Sequence, residues 1–273
     1  MNHKSKELVI RAGLLLLLAT FCLIFNSWFL DFGIRTAGDW GFLLKETAES
    51  LRMHYFTIWL SDSSFGRILF DAGQAPTYSL YGVLSYLGGF DFALNERIIH
   101  LWPSVILAPI SAYLLVKFIF QDRIAAVLGA VIFSANTYFL TLETGHLTLS
   151  VAYSLAPLVV YFYWKAIKSK KLDSAILSGL IFGVCGAYEP RLAYIILFVL
   201  ALIAVFELVY VEKMNPRALR TNLRTIAMYF VPIGVFGLLN LYWILGIATI
   251  GSGVGDGVFE TSLFGNQYFN ISQ

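Results

Sequence analysis

Seven long apolar runs dominate this sequence and constrain its fold more than any other feature. They cover residues 9–30, 98–120, 124–141, 147–166, 174–188, 192–211 and 225–248. A helix of about 20 apolar residues crosses the roughly 30 Å hydrocarbon core of a bilayer. The sequence therefore predicts an all-α, polytopic membrane helix bundle with about seven transmembrane helices.

Composition excludes several other classes of protein. Only 13% of the 273 residues are charged and 58% are hydrophobic, whereas an average soluble domain has about 25% charged residues. So few charged side chains cannot cover the surface of a water-soluble fold of this size. The net charge is only +2, and no basic stretch is interleaved with aromatic residues for base stacking. A soluble enzyme, a disordered chain and a nucleic-acid-binding protein are thereby excluded.

Three local features refine the predicted spans. The first run, 9–30, is too long for a signal peptide and no small-residue cleavage site follows it, so we expect a retained helix. The stretch 76–90 is short and interrupted by three glycines, which favours an interfacial or re-entrant segment. Gly179 and Gly183, within 174–188, have the small-xxx-small spacing that is typical of closely packed membrane helices.

The charged residues divide unequally between the two faces of this predicted bundle. With the N-terminus inside and each run crossing once, 13 of the 19 Lys and Arg residues fall inside, and 12 of the 17 Asp and Glu residues fall outside. Cytoplasmic loops of membrane proteins carry an excess of Lys and Arg. We therefore expect an integral plasma-membrane protein with a cytoplasmic N-terminus. A crossing by 76–90 would invert every later loop, so we reject it.

The first outer loop, residues 31–95, is much longer than a connection requires, and such loops are usually functional. Its turn Gly38-Asp39-Trp40 precedes an amphipathic stretch that runs to Leu60 and suits a helix on the membrane surface. Asp39 has two interpretations. It caps the start of that helix, or it is a general base that reaches a bound hydroxyl. The two roles are compatible, because a capping carboxylate is also a positioned one.

Two very short outer loops also contain ionisable residues. The loop after the third run contains Glu143 and His146, which have the chemistry to bind a divalent cation or a hydroxylated ligand. Two solvated interfacial side chains explain them equally well. The loop after the fifth run contains Glu189 and Arg191. These two either pair with each other or line a polar cavity in which Arg191 binds a phosphate.

Ionisable residues in several outer loops predict one shared site. Arg97 and His100, one turn apart at the outer start of the second run, are weaker candidates for phosphate binding. Since three separate outer loops deliver ionisable groups to one face of the bundle, we expect a polar site at the outer membrane boundary. Its predicted lining residues are Asp39, Glu143, His146, Glu189 and Arg191.

This organisation resembles the GT-C superfamily of membrane glycosyltransferases. The common module of that superfamily has seven N-terminal helices, a long first outer loop with an early acidic residue, and a second acidic motif after the third helix. Asp39 falls at the first acidic position and Glu143 at the second. The stretches Phe133–Phe139, Gly145-His146 and Ala152–Leu158 look most like the arabinofuranosyltransferase-type and related bacterial branches.

The resemblance implies transfer of a sugar from a polyprenyl-phosphate donor to a glycan, lipid or protein acceptor outside the cytoplasm, with inversion. Asp39 would then deprotonate the acceptor hydroxyl, Arg191 with His146 would hold the donor phosphate, and Glu143 would bind the acceptor or a metal. The substrate-binding residues together would be Glu143, His146, Glu189, Arg191, Arg97 and Trp40. Some members need a divalent cation such as Mg²⁺ or Mn²⁺, for which the candidate ligands are Asp39, Glu143 and His146.

Members of this superfamily are usually longer than the present chain. Residues 1–248 form the predicted seven-helix module and 249–273 a glycine-rich outer tail, so we expect either a truncated chain or a module that needs a partner subunit. Two alternative functions remain, a transporter or flippase-like subunit for a lipid-linked or polar substrate and a non-catalytic membrane scaffold. Transporters place ionisable residues near the bilayer midplane and contain repeats, and the sequence has no convincing repeat.

Overall fold

In the computed structural model, the described residues are 75–211 and 223–250, with Gly13, Asp31, 59–60 and 67–68. This part of the chain is helical apart from one antiparallel pair of two-residue strands, β1 (Trp59–Leu60) and β2 (Arg67–Ile68). The helices are α1 (Ala75–Gly88), α2 (Phe92–Phe120), α3 (Arg123–Ser134), α4 (Thr137–Gly145), α5 (Leu147–Ser169), α6 (Leu172–Tyr188), α7 (Pro190–Val211), α8 (Leu223–Leu239) and α9 (Leu241–Ile250). The predicted helical bundle is confirmed for the described residues.

Several helices are suited to a membrane. Helices α2, α5 and α7 are long and apolar enough to cross one, and α3 with α4 makes a fourth candidate if this pair, bent by 44°, counts as one span. Helices α6 and α8 are also apolar but shorter. These lengths are consistent with an integral membrane protein. The total of seven spans stays a prediction, since 9–30 lies outside the described residues apart from Gly13.

The bend between α3 and α4 follows from one asparagine. The Asn136 side chain accepts a hydrogen bond from the backbone N–H of Phe139 at 2.9 Å and donates to the Phe133 carbonyl oxygen at 2.5 Å. It therefore caps the start of α4 and satisfies a carbonyl at the end of α3, as helix ends require. Helix α4 ends at Gly145. The short outer loop predicted after the third run, 142–146, is therefore helical over most of its length.

Contacts between the helices show their relative directions. The Ser111 hydroxyl in α2 donates to the Ser154 carbonyl oxygen in α5 at 2.6 Å, and Phe118 meets Tyr161 one to two turns further along both helices. Helices α2 and α5 therefore run parallel. Along α6 the order is reversed, because Ser178 bonds to Val159 of α5 and the later Cys185 bonds to the earlier Ala152. Helices α5 and α6 therefore run antiparallel, and α7 returns parallel to α5, since Trp164 and Lys168 near the end of α5 both bond to Glu207 near the end of α7.

This alternation gives the bundle two chemically different ends. One end, the lysine end, collects the C-terminal ends of α2, α5 and α7 and carries Lys117, Lys165, Lys168, Lys170 and Lys171. The opposite end, the acidic end, collects the N-terminal ends of the same helices and carries Glu143 and Glu189. The lysine end also carries Asp122, Asp173 and Glu207, and the acidic end also carries Arg97 and Arg191, so the described residues show the predicted segregation as a bias of charge. The orientation in a membrane stays a prediction.

Small residues allow α6 and α8 to pack closely, as the Gly179–Gly183 spacing predicted. A Cβ atom added to Gly179 would lie 2.6 Å from Val235 Cβ and 2.8 Å from the Pro232 carbonyl oxygen. A Cβ atom at Gly183 would collide with Leu239. Since glycine has no side chain, the backbone of α6 comes into direct van der Waals contact with α8, and this contact contributes dispersion energy.

We expect the Gly179→Ala variant to lose about 1–3 kcal/mol of stability, because the new methyl group must displace the backbone carbonyl of Pro232. Gly237→Ala on α8 is the matched control, since a Cβ atom there has no heavy atom within 4 Å. Alanine has the better helix propensity, so the control should be neutral or stabilised by up to about 1 kcal/mol. Thermal unfolding of both variants in detergent, followed by circular dichroism, tests this. Equal unfolding temperatures would contradict the proposed packing.

Two segments differ from the sequence-based expectation. The stretch 76–90 was expected to be interrupted by its glycines, but α1 continues through Gly82 and ends at Gly88, before Gly89 adopts a positive φ of 63°. Tertiary packing holds α1 together, since Tyr81 is buried against Phe92 of α2. Trp59-Leu60 was expected at the end of an amphipathic helix and instead forms β1, because its backbone pairs with β2.

Candidate functional site

Buried polar side chains concentrate at the acidic end of the bundle. They come from α1, the first turns of α2, the last turn of α4, the start of α5 and the junction of α6 with α7. In an apolar bundle, such groups are costly to bury unless they pair with each other or face a polar cavity. The set comprises Thr77, Asn95, Glu96, Arg97, His100, Ser104, Glu143, Thr148 and Glu189.

Glu143 is buried and weakly bonded. Only 8% of the residue is exposed, and it lies in the last turn of α4. Among the described residues, its hydrogen bond comes from the Ser104 hydroxyl at 3.5 Å, but that hydroxyl also lies 2.9 Å from the Leu101 carbonyl oxygen. A serine hydroxyl has one proton, and the closer carbonyl takes it. Among the described residues, the Glu143 carboxyl therefore has only this long hydrogen bond to offset the cost of its burial.

Glu189 and Arg191 form the local ion pair that was one of the two predicted alternatives. The Arg191 Nε and Nη2 atoms donate to the two Glu189 carboxylate oxygens at 2.7 and 2.9 Å. Glu189 also precedes α7 and accepts a bond from the Arg191 backbone N–H at 3.3 Å. Its side chain is only 2% exposed, whereas that of Arg191 is 78% exposed. The pair thus orients a largely exposed guanidinium at the boundary of the bundle.

Arg97 is fully buried, and two of its hydrogen bonds go to backbone carbonyl oxygens. Its Nη1 atom donates to the Ala93 carbonyl oxygen at 2.8 Å and lies 3.8 Å from Glu96 Oε2. Its Nη2 atom donates to the backbone carbonyl oxygen of Asp31. Since Asp31 begins the long outer loop that contains Asp39, this contact attaches the start of that loop to the acidic end of the bundle. The described contacts of Arg97 position the start of that loop, and its role in phosphate binding stays a prediction.

His100 lies in an aromatic cluster and is also fully buried. Its Nδ1 atom is 2.9 Å from the Tyr81 hydroxyl, and its ring meets Tyr188 edge-on at 5.6 Å. The Tyr188 hydroxyl in turn donates to the Ile99 carbonyl oxygen at 2.7 Å. Ile99 belongs to a π-helical turn, Arg97–Leu101, a distortion that is frequent at functional sites. The cluster joins α1, α2 and the end of α6 next to Glu189.

His146, Asp39 and Trp40 are the remaining predicted site residues, and of these the structure describes only His146. His146 is exposed at the junction of α4 and α5. Within the described residues, no group of three or more His, Cys, Asp or Glu side chains could hold a metal ion, so Glu143 and His146 make no metal site with other described residues. Asp39 and Trp40 lie outside the described residues, and their predicted roles stay predictions.

Several residues of this end were missed by sequence reasoning. Asn95 and Glu96 are fully buried beside Arg97, and Ser104 and Tyr188 contact the predicted residues. One signal was available, because Asn95-Glu96-Arg97 places three polar residues directly before a long apolar run. No sequence pattern indicated Ser104 or Tyr188, whose contacts join residues 39 and 89 positions apart.

Comparison with known proteins adds no family. Neither the known protein-family models nor the curated proteins searched contain a match to this chain. The described residues thus define a helical bundle with several membrane-length helices and buried ionisable side chains at one end.

Proposed function

We propose that this chain is a membrane glycosyltransferase of the GT-C type. It would transfer a sugar from a polyprenyl-phosphate donor to an acceptor hydroxyl on the extracytoplasmic side. The observation that supports this proposal most is Glu143, a buried carboxyl with almost no hydrogen-bond compensation from the described residues. Such a group in a membrane protein is typical of a functional cavity, and it occupies the second acidic position of the resemblance.

The proposed reaction is a single displacement with inversion. The Asp39 carboxylate removes the proton of the acceptor hydroxyl. The acceptor oxygen then bonds to the anomeric carbon while the bond from that carbon to the phosphate oxygen breaks, and polyprenyl phosphate leaves with the electron pair. Developing negative charge on the phosphate needs a preorganised donor. Arg191 meets that need in this proposal, since Glu189 orients its guanidinium and the side chain is exposed.

The other residues have supporting roles in this proposal. Glu143 binds the acceptor, and Trp40 and His146 contact substrate beside Asp39 and Arg191. Arg97 acts through the loop start at Asp31. A divalent cation such as Mg²⁺ or Mn²⁺ would need Asp39 in addition to Glu143 and His146, because the described residues alone make no metal site. No step of the proposed reaction depends on a metal.

The Glu143→Gln variant tests the proposal directly. We expect it to lower kcat/KM for transfer from a polyprenyl-phosphate sugar by about 10- to 100-fold, since a hydrogen bond to a charged group contributes about 1.5–3 kcal/mol. Glu207→Gln is the control, because Glu207 is also buried but lies at the lysine end. This control removes a buried carboxylate that bonds to Lys168 and Trp164, so we expect lower stability, but its activity per folded molecule should match that of the unmodified protein.

The same assay separates the alternatives. Titration of Mg²⁺ or Mn²⁺ with the unmodified protein and Glu143→Gln tests the metal role, and an identical response would remove Glu143 as a ligand. Equal transfer by Glu143→Gln and the unmodified protein would contradict the proposed site. Transport of a lipid-linked sugar across vesicles with no transfer would instead support the transporter alternative.

A further inference from the structure

The lysines near the C-terminal end of α5 differ in how their charges are balanced. Lys168 Nζ lies 2.7 Å from the carboxylate of buried Glu207, which also accepts a hydrogen bond from Trp164 Nε1 at 2.6 Å. Lys165 has no carboxylate partner among the described residues. Its Nζ atom lies 3.2 Å from the Tyr161 hydroxyl, 5.2 Å from the centre of the Tyr161 ring and 5.6 Å from that of Phe162.

A second uncompensated lysine lies at the same level on the adjacent helix. Lys117 of α2 donates to the Gln121 carbonyl oxygen at 3.3 Å and, like Lys165, has no carboxylate partner in the described part of the chain. The two helices meet here through Phe118, whose ring is 5.6 Å from Tyr161 and 6.1 Å from Trp164. Two ammonium groups therefore flank an aromatic contact at the lysine end.

The nearby acids Asp122 and Asp173 form no ion pair with either ammonium group in the described part of the chain. Asp122 accepts a bond from the backbone N–H of Ala125 at the start of α3, and Asp173 accepts one from Ser174 at the start of α6. Both acids bond at helix starts, where a negative charge is favourable. Next to the aromatic contact, Ile119 and Phe120 are exposed apolar residues.

We propose that this surface, formed by Lys117, Phe118, Tyr161 and Lys165, binds the headgroup of an anionic phospholipid. A phosphodiester accepts hydrogen bonds from two ammonium groups, and basic surfaces between membrane helices attract anionic lipids at about five-fold in affinity per lysine. The exposed Ile119 and Phe120 side chains suit the start of the acyl chains. This site is independent of the proposed sugar transfer and lies at the opposite end of the bundle.

Lipid binding to the purified full chain in detergent provides the test. Native mass spectrometry or a titration would compare dioleoyl phosphatidylglycerol with dioleoyl phosphatidylcholine, which share acyl chains and differ in net charge. We expect the unmodified protein to prefer phosphatidylglycerol by at least about five-fold, and the preference to fall as salt is raised. The Lys117→Gln/Lys165→Gln variant should lose about 25-fold in affinity for phosphatidylglycerol, which is five-fold per lysine.

Lys171→Gln is the matched control for a specific site. Lys171 is an exposed lysine at the same end, outside the aromatic contact, and its loss should change the affinity by less than about two-fold. If Lys171→Gln lost as much affinity for phosphatidylglycerol per lysine as the Lys117→Gln/Lys165→Gln variant, the lipid would be attracted by the general positive charge of this end and not by a defined site. Equal binding of the two lipids by the unmodified protein would also overturn the proposal, and that measurement depends on no variant.

Discussion

The Asp39→Asn variant is expected to lose sugar transfer while the protein inserts and folds normally. A positioned general base contributes about 10²–10⁴-fold to the rate of a reaction, and an asparagine amide cannot accept the proton of the acceptor hydroxyl. Because the change affects chemistry more than binding, kcat should fall by that factor with little change in KM. Transfer from a polyprenyl-phosphate sugar, measured per folded molecule, tests this.

Asp31→Asn is the matched control for this prediction. Asp31 lies at the start of the same loop, but its contact with Arg97 uses the backbone carbonyl oxygen, which asparagine retains. We therefore expect transfer by Asp31→Asn to be unchanged. The capping alternative for Asp39 makes the opposite prediction for Asp39→Asn, because asparagine caps helices about as well as aspartate. Unchanged turnover of Asp39→Asn would refute the catalytic role and leave the cap.

The Arg97→Met variant should have the largest effect on stability. Arg97 is fully buried and lies beside the equally buried Glu96, and removing one partner of a buried charged pair costs about 3–5 kcal/mol. Methionine keeps much of the volume but donates to neither Ala93 nor Asp31. We expect a marked fall in the unfolding temperature in detergent, measured by circular dichroism or intrinsic fluorescence.

A double-mutant cycle with Glu96→Gln distinguishes the buried pair from lost packing. If the pair is energetically coupled, the combined Glu96→Gln and Arg97→Met changes will cost less than the sum of the single changes. Strict additivity would contradict the pairing of Glu96 with Arg97. An Arg97→Met protein as stable as the unmodified one would contradict the anchoring of the loop start at Asp31 altogether.

Local patterns in the sequence were sufficient for the class of fold and for the general location of its polar groups. Apolar runs of membrane length predict helices, because a segment buried in hydrocarbon must satisfy its own backbone hydrogen bonds and an α-helix does so without help from other segments. The close packing at Gly179 and Gly183 could also be predicted, because small residues four positions apart lie on one face of a helix and let a second helix approach. The segregation of Lys and Arg from Asp and Glu predicted two unlike ends, and the alternating helices of the described residues have them.

The partners of the polar groups were decided only by tertiary structure. Glu189 and Arg191 pair across two positions, so the sequence could propose that pair. Arg97 reaches Asp31 over 66 positions and Tyr188 reaches Ile99 over 89, contacts that depend on how whole helices pack. Likewise, the placement of α4 beside α2 leaves Glu143 with a distant Ser104 hydroxyl. Spacing along one helix determines which side chains share a face, but the packing of several helices determines what that face meets.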